Sequence, residues 1–240
     1  MRYLITFSYD GTNYSGYQKQ PNLRTIQGEL ENALKKISGG INIEINSSGR
    51  TDRGVHAINQ KAHFDLDKKI TLYKLKCALN TYTDKDIYIK DIKIVDNDFH
   101  ARFMVKKKEY IYKINVGEYN PIYRNYIYQY NKQLNILKMK KQSKFLIGTH
   151  DFSSFANKED PRDSYIRTIY KISISKSKDT ILIKFIGDGF LKYQVRNMVG
   201  ALIESSESNI NIKKILEEKN RKSFGKIAPP EGLYLNDVKY

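Results

Sequence analysis

Ile41-Asn42-Ile43-Glu44-Ile45-Asn46 and Gln60-Lys61-Ala62-His63-Phe64-Asp65-Leu66 both alternate side-chain character, and between them runs Asn46-Ser47-Ser48-Gly49-Arg50-Thr51-Asp52-Arg53-Gly54-Val55-His56-Ala57. The alternation predicts two short strands, with the polar, glycine-bracketed segment as the loop joining them. One carboxylate, Asp52, stands at the centre of that loop. Arg50 and Arg53 flank it and favour its ionised form, and the glycines free the backbone to present it. An acid in that setting suits a nucleophile better than a proton donor. The plainer reading is a surface turn in which Asp52 caps the local backbone, and the rest of the chain has to decide between the two. Gly49 to Gly54 matches the opening of a phosphate loop, but Val55-His56 follows where Lys-Ser/Thr is required, which excludes a Walker site.

Upstream, Tyr3, Ile5, Phe7 and Tyr9 alternate with Thr6 and Ser8 in a strand, and Asp10 to Pro21 is too rich in glycine and amides to be anything but a long loop. Thr25 is a plausible cap for a helix in which Ile26, Leu30, Ala33, Leu34 and Ile37 recur until Ser38-Gly39-Gly40 ends it. Downstream, Leu72, Leu75 and Leu79 suggest a second helix, and Ile87, Ile89, Ile92 and Ile94 a strand broken at Asp91. The first half therefore reads β-α-β-β-α-β.

After Phe103 the order begins again. Tyr110, Tyr112, Ile114 and Val116 alternate, and Tyr126, Tyr128 and Tyr130 predict an additional strand. A helical pattern runs through Leu134, Leu137, Phe145 and Leu146, and strands follow over Ile166–Ile174 and Ile181–Phe185. Leu191, Val195, Met198, Val199, Leu202 and Ile203 form the stripe of a helix, leaving Gly189, Tyr193, Arg196 and Gly200 along another face. Two glycines around an arginine imply close approach to another backbone, with Arg196 directed into the contact; the alternative is an exposed arginine on a helix. A short helix near Ile212 and a strand from Leu233 to Val238 close the chain. The expected fold class is α+β, two ferredoxin-like halves with antiparallel sheets, residues 1–103 and 104–240, and a basic central cleft.

Composition narrows the function. The chain has 240 residues, 42 Lys and Arg against 26 Asp and Glu, and a formal charge of +16. Residues 104–240 hold 26 basic and 14 acidic side chains, so most of the excess lies there and polyanions are the natural partner. Residues 110 to 130 hold seven tyrosines, which suit either a nucleic-acid surface or ordinary sheet packing. The one cysteine, Cys77, forms no internal disulfide and reads as a small core residue. The four histidines are scattered without metal-ligand spacing, and no metal is expected. The opening MRYLITFSYD enters a strand without a cleavable apolar leader, and no apolar run approaches membrane-spanning length, so a cytoplasmic protein is expected.

Tyr9-Asp10-Gly11-Thr12 with Gly16-Tyr17-Gln18, Arg24-Thr25-Ile26-Gln27-Gly28, and Gly49-Arg50-Thr51-Asp52-Arg53-Gly54-Val55-His56-Ala57 form an ordered series of motifs. Ala101-Arg102-Phe103, Lys108-Glu109-Tyr110-Ile111-Tyr112, Gly148-Thr149-His150-Asp151-Phe152, Phe190 to Gly200 and Ala228-Pro229-Pro230-Glu231-Gly232-Leu233-Tyr234-Leu235 continue it. The series resembles the tRNA pseudouridine synthases of the TruA type nearly end to end. Departures are Tyr17 where the family has Trp, Arg53 where Ala is common, and Gln194 where an apolar residue is common.

The resemblance implies isomerisation of uridine to pseudouridine at positions 38, 39 and 40 of the tRNA anticodon stem-loop, by a homodimer without a cofactor. By the family motif Asp52 is the catalytic carboxylate, Arg196 its ion-pair partner and Tyr110 the base that removes the C5 proton. Arg50 and Tyr110 hold the flipped nucleotide and Leu233 packs around its base. Two other readings compete: an RNA-binding protein without chemistry, in which Asp52 would be dispensable, and a glycosidase-like enzyme, which needs a second, protonated carboxyl that this loop lacks.

Overall fold

A computed structural model describes residues 1–157, 164–220 and 225–240. The chain separates into two compact units, Met1–Lys106 with Leu235–Tyr240, and Lys107–Tyr234. The boundary between them falls after Lys106, and the last six residues group with the first unit, so that strand β10 (Leu233–Lys239) begins in the second unit and ends in the first.

In the first unit β1 (Arg2–Tyr9) lies between β3 (His56–Asp65) and β4 (Ile87–Val95), antiparallel to both. A short β2 (Asn46–Ser47) pairs with β3. The alternation of β1 sends Tyr3, Ile5 and Phe7 into the core, each fully buried, and Tyr3 stacks on its register partner Phe64 at 5.7 Å. Helices α1 (Ile26–Ser38) and α2 (Leu72–Tyr82) add Leu30, Leu34, Leu75 and Leu79. Thr25 accepts from the Gly28 N–H at the start of α1, and Gly39 ends it with φ 79, a left-handed residue for which glycine has no Cβ penalty.

The break at Asp91 is a bulge: Thr6 faces Asp91 but Phe7 faces Ile89, leaving Lys90 as the extra residue. Asn80 of α2 serves the disrupted ladder, accepting from the Ile89 N–H at 2.7 Å and donating to its carbonyl at 3.0 Å. The Ile41–Ile45 alternation, by contrast, forms no strand. Gln27 and Glu31 of α1 bind the Ile45 backbone, Gln27 donating to its carbonyl at 3.5 Å and Glu31 accepting from its N–H at 3.4 Å. Ile41 is left exposed, and the strand shrinks to Asn46–Ser47. Cys77 is also exposed, on the solvent side of α2, and is not the core residue expected.

The second unit orders β5 (Lys107–Asn115), β9 (Thr180–Gly187), β8 (Ile166–Ser177) and β7 (Gly148–Asp151) as antiparallel neighbours. The sequence pattern missed β7, whose Gly148-Thr149-His150-Asp151 carries no apolar alternation. The tyrosine strand contracts to β6 (Tyr128–Gln129), parallel to β5. Helices α3 (Ile136–Ser143), α4 (Gln194–Glu207) and α5 (Ile212–Glu218) complete the unit. The architecture is mixed α+β with mostly antiparallel strand pairing, as the patterning indicated. No helix among the described residues is long and apolar enough to cross a membrane.

Candidate active site

The Asp52 loop is held along its backbone. On the incoming side the Ser48 N–H donates to Lys61 O at 2.8 Å and its hydroxyl to Gln60 Oε1 at 2.6 Å, while Gln60 Nε2 donates to Gly49 O at 2.9 Å. Gln60 and Ser48 are fully buried, so losing this clamp would strand polar groups at about 1–3 kcal/mol each. Thr51 is tied twice, its carbonyl accepting from Tyr17 N–H at 3.0 Å and its hydroxyl sharing a 2.8 Å bond with the Tyr9 phenol. Burial pushes that phenol well above its ordinary range, so it stays protonated as a bonding partner. The turn closes with Val55 N–H donating to Asp52 O at 3.2 Å, and Gly54 takes the positive φ of 76° it requires.

The long loop after β1 is the bed beneath this turn. A Cβ on Gly11 would lie 2.0 Å from Val55 O, and one on Gly16 (φ 92°) 3.1 Å from Thr51 O. Both backbones approach to contact distance only because these residues lack side chains. His56, buried at the end of the turn, accepts the Gly11 N–H at Nδ1 (3.1 Å), with Asp10 Oδ1 3.2 Å from the same nitrogen. Asp10 also accepts from the Thr12 N–H at 3.0 Å and hydroxyl at 2.6 Å. Asp52 is half-buried in this turn, and Arg50 and Arg53, on either side of it in sequence, are exposed. Sequence alternation placed Gln60 on the inward face without giving it a task; a lone amide at an apolar position was the available signal.

Tyr110, Arg196 and Leu233 belong to the second unit. Tyr110 lies on β5 opposite Phe185, nearly buried, with its ring edge-on to Phe190 at 5.1 Å and 80°. Its neighbour on the same face, Tyr112, is fully buried and donates its hydroxyl to Pro229 O at 2.7 Å. Burial, reinforced by Glu231, raises the Tyr112 phenol well above its ordinary value. Tyr112 is therefore a structural donor.

Arg196 sits in the first turn of α4, which begins at Gln194 and not at Leu191. Tyr193 precedes the helix with φ 66°, so it and Gly189 share no helical face with Arg196, contrary to the sequence pattern. Gln194 is buried and accepts the Leu191 N–H at Oε1 (2.7 Å), a bond the usual apolar residue could not make. The close approach expected at Gly200 is present, and it is to the chain's own loop: a Cβ there would lie 1.9 Å from Lys226 O. That loop returns along α4, where Ala228 O accepts from Arg196 Nε at 2.8 Å and Ala228 N–H donates to Arg196 O at 3.1 Å. Anchoring Nε sets the plane of the guanidinium. Burial raises the Glu231 carboxyl above its ordinary range, with Arg196 pulling the other way. Leu233, 5% exposed, starts β10 directly after the turn Pro230–Gly232.

Of the seven tyrosines between 110 and 130, Tyr112, Tyr128 and Tyr130 pack on one another, with ring centroids 6.4 and 5.6 Å apart. Tyr119, Tyr123 and Tyr126 are exposed.

A sequence model of the family described as tRNA pseudouridine synthase matches residues 5–104 and 143–240. Asp52, Arg50, Arg196 and Leu233 lie inside the matched segments and Tyr110 between them. A tRNA pseudouridine synthase A of Limosilactobacillus reuteri (strain DSM 20016) is 43% identical over 247 residues, covering 100% of this chain and 96% of its own. That of Geobacillus sp. (strain WCH70) is 43% identical over 243 residues, covering 100% and 98%. A tRNA pseudouridine synthase A 1 of Bacillus cereus is 40% identical over 243 residues, covering 100% and 98%. Among solved structures, a chain of a Cbf5-Nop10-Gar1 complex aligns with 83% of this chain and 53% of its own at 11% identity, with a TM-score of 0.35, too low to bear on the fold. Matches of this length, running through the Asp52 loop and the Arg196 helix alike, establish that the chain belongs to the tRNA pseudouridine synthase family.

Proposed function

We propose that the protein converts uridine to pseudouridine in the anticodon stem-loop of tRNA, at positions 38, 39 and 40, with Asp52 as the catalytic carboxylate. The observation that carries the reading is the Asp52 loop itself. Its backbone is bonded at Ser48, Gly49, Thr51 and Asp52 and bedded on Gly11 and Gly16, the support that a precisely aimed acid needs.

The reaction breaks the N1–C1′ bond, turns the uracil and joins C5 to C1′; the C5 proton leaves and N1 gains one, so no atom is lost and no redox partner is needed. An ionised Asp52 either attacks the sugar or the base or takes a sugar proton as the glycosidic bond breaks. Arg196 serves as its ion-pair partner, with its guanidinium oriented by Ala228. Tyr110 removes the C5 proton, Arg50 holds the flipped nucleotide, and Leu233 packs around the base. No cofactor takes part. The enzyme acts in the cytoplasm as a homodimer.

The test is to incubate the protein with unmodified tRNA transcripts and map pseudouridine. Wild type is expected to modify uridines in the anticodon stem-loop, and Asp52→Asn to form none while binding the transcript with similar affinity, since the amide keeps the shape and loses the charge. Turnover by the Asn variant, with deamidation excluded, would remove Asp52 from the mechanism. Binding by wild type without any modification would favour an RNA-binding protein without chemistry.

A further inference from the structure

The motif Ala101-Arg102-Phe103 has no part in the mechanism above, yet the structure builds an exact support for one exposed ring. Phe103 is 76% exposed. Its inner face lies on the His100 imidazole, centroids 4.2 Å apart and planes tilted by 31°, and His100 packs edge-on to His63 at 4.8 Å. The exposed Arg102 guanidinium stands 5.8 Å from the Phe103 ring centre.

The segment carrying this ring is tied down from every side. Buried His63 accepts the Ala101 N–H at Nδ1 (3.1 Å), and the Tyr240 hydroxyl donates to Ala101 O at 2.8 Å. His100 Nδ1 accepts the Arg102 N–H at 3.1 Å, and His100 O accepts the Met104 N–H at 3.1 Å. Arg2 Nη1 donates to Phe99 O at 3.0 Å, and the Phe99 ring meets Tyr240 at 4.9 Å. A large apolar side chain left in water forfeits about 1.5–3 kcal/mol of burial, and a free loop would fold it inward. Here the backbone is bonded so that it stays out.

We propose that Phe103, backed by His100 and flanked by Arg102, is a stacking platform for one unpaired base of the RNA substrate. The inference rests on the proposed function and deepens it. A base on the outer face of Phe103 would continue the His100–Phe103 stack by one more ring, with Arg102 beside it for cation–π contact or a phosphate. Base pairs in a helix have both faces occupied, so only a loop or flipped nucleotide offers such a face. A protein partner is the weaker occupant: the only other large apolar side chain exposed in this segment is Met104, at 42%, and two side chains fall far short of the roughly 800 Å² a side that a stable protein interface buries.

The experiment uses anticodon stem-loop RNAs carrying 2-aminopurine at one loop position at a time, whose fluorescence is quenched on stacking. Wild type is expected to quench one position strongly. Phe103→Ala should lose that quench and bind about tenfold more weakly, and Phe103→Trp should keep both. Because the ring is exposed, truncation should leave thermal stability within a few degrees of wild type. Unchanged quench and affinity in Phe103→Ala overturn the platform. So does a variant that changes only sedimentation, since the ring would then serve contact between copies of the chain. If wild type forms pseudouridine normally while Phe103→Ala matches it in quench and affinity, the platform alone fails. If wild type forms none but the Phe103-dependent quench persists, the enzymatic reading fails and the platform stands.

Discussion

Replacing Gly11 by alanine tests whether the bed beneath Asp52 is what positions it. The new Cβ would lie 2.0 Å from Val55 O and 2.6 Å from Val55 C, against an ordinary contact of at least 3.4 Å, so the two backbones must part by more than an ångström. Neither is the tip of a flexible side chain. Val55 closes the turn through its N–H bond to Asp52 O, so the displacement passes directly to the acid. Overpacking of this kind costs about 1–3 kcal/mol, and at this chain length each kcal/mol lowers Tm by roughly 2–4 °C. A reacting group misplaced by about 1 Å loses on the order of a hundredfold in rate. We expect Gly11→Ala to lower single-turnover pseudouridine formation on a tRNA transcript about a hundredfold, with a Tm several degrees down and tRNA affinity little changed. Gly39→Ala is the control. Its Cβ would meet nothing within 4 Å, but φ is 79°, so it should lose about 1 kcal/mol of stability and no activity. If Gly11→Ala keeps the wild-type rate, the loop after β1 does not set the position of Asp52 and the argument from the bed is wrong.

Three further outcomes are expected. Arg196→Lys keeps the charge but loses the Nε bond to Ala228 O and the planar fork, so the rate should fall about 10- to 100-fold. If Arg196 pairs with Asp52 as proposed, the pH–rate profile of this variant should differ from wild type, and an unchanged profile would refute the pairing. Burial, with His100 and Arg2 adding, lowers the pKa of His63 below 6.5. The unfolded chain then binds the proton first as pH falls, so this contribution to stability is complete above about 6.5 and is lost on acidification. Denaturant midpoints measured from pH 7.5 to 5.5 should fall for wild type and flatten for His63→Gln; parallel curves would remove His63 as the cause. Finally, tRNA affinity should drop linearly on a log–log plot against salt, as counterion release by a +16 chain requires, and a flat plot would detach the charge from RNA binding.

The sequence alone carried those parts of the protein that repeat along one element. The alternation in β1 and β3, the apolar stripe of α1 between Thr25 and Gly39, and the irregularity at Asp91 are local patterns, because burial on one face of a strand or helix recurs every two or every three to four residues. The loop carrying Asp52 was legible for the same reason, as a polar interruption between patterned stretches. Tertiary structure decided whatever depends on which group satisfies a particular backbone atom. Ile41–Ile45 alternates as well as β1 does, yet Gln27 and Glu31 take the Ile45 backbone and no strand forms. Tyr110 and Tyr112 are indistinguishable by pattern, and the bond from the Tyr112 hydroxyl to Pro229 O, 117 residues away, is visible only in the structure. Gly189 and Tyr193 kept helical spacing with Arg196 although the chain turns left-handed at Tyr193 before α4 begins. A hydrogen bond between residues far apart in sequence leaves no period in the chain, so such choices become visible only once the backbone that makes them is in place.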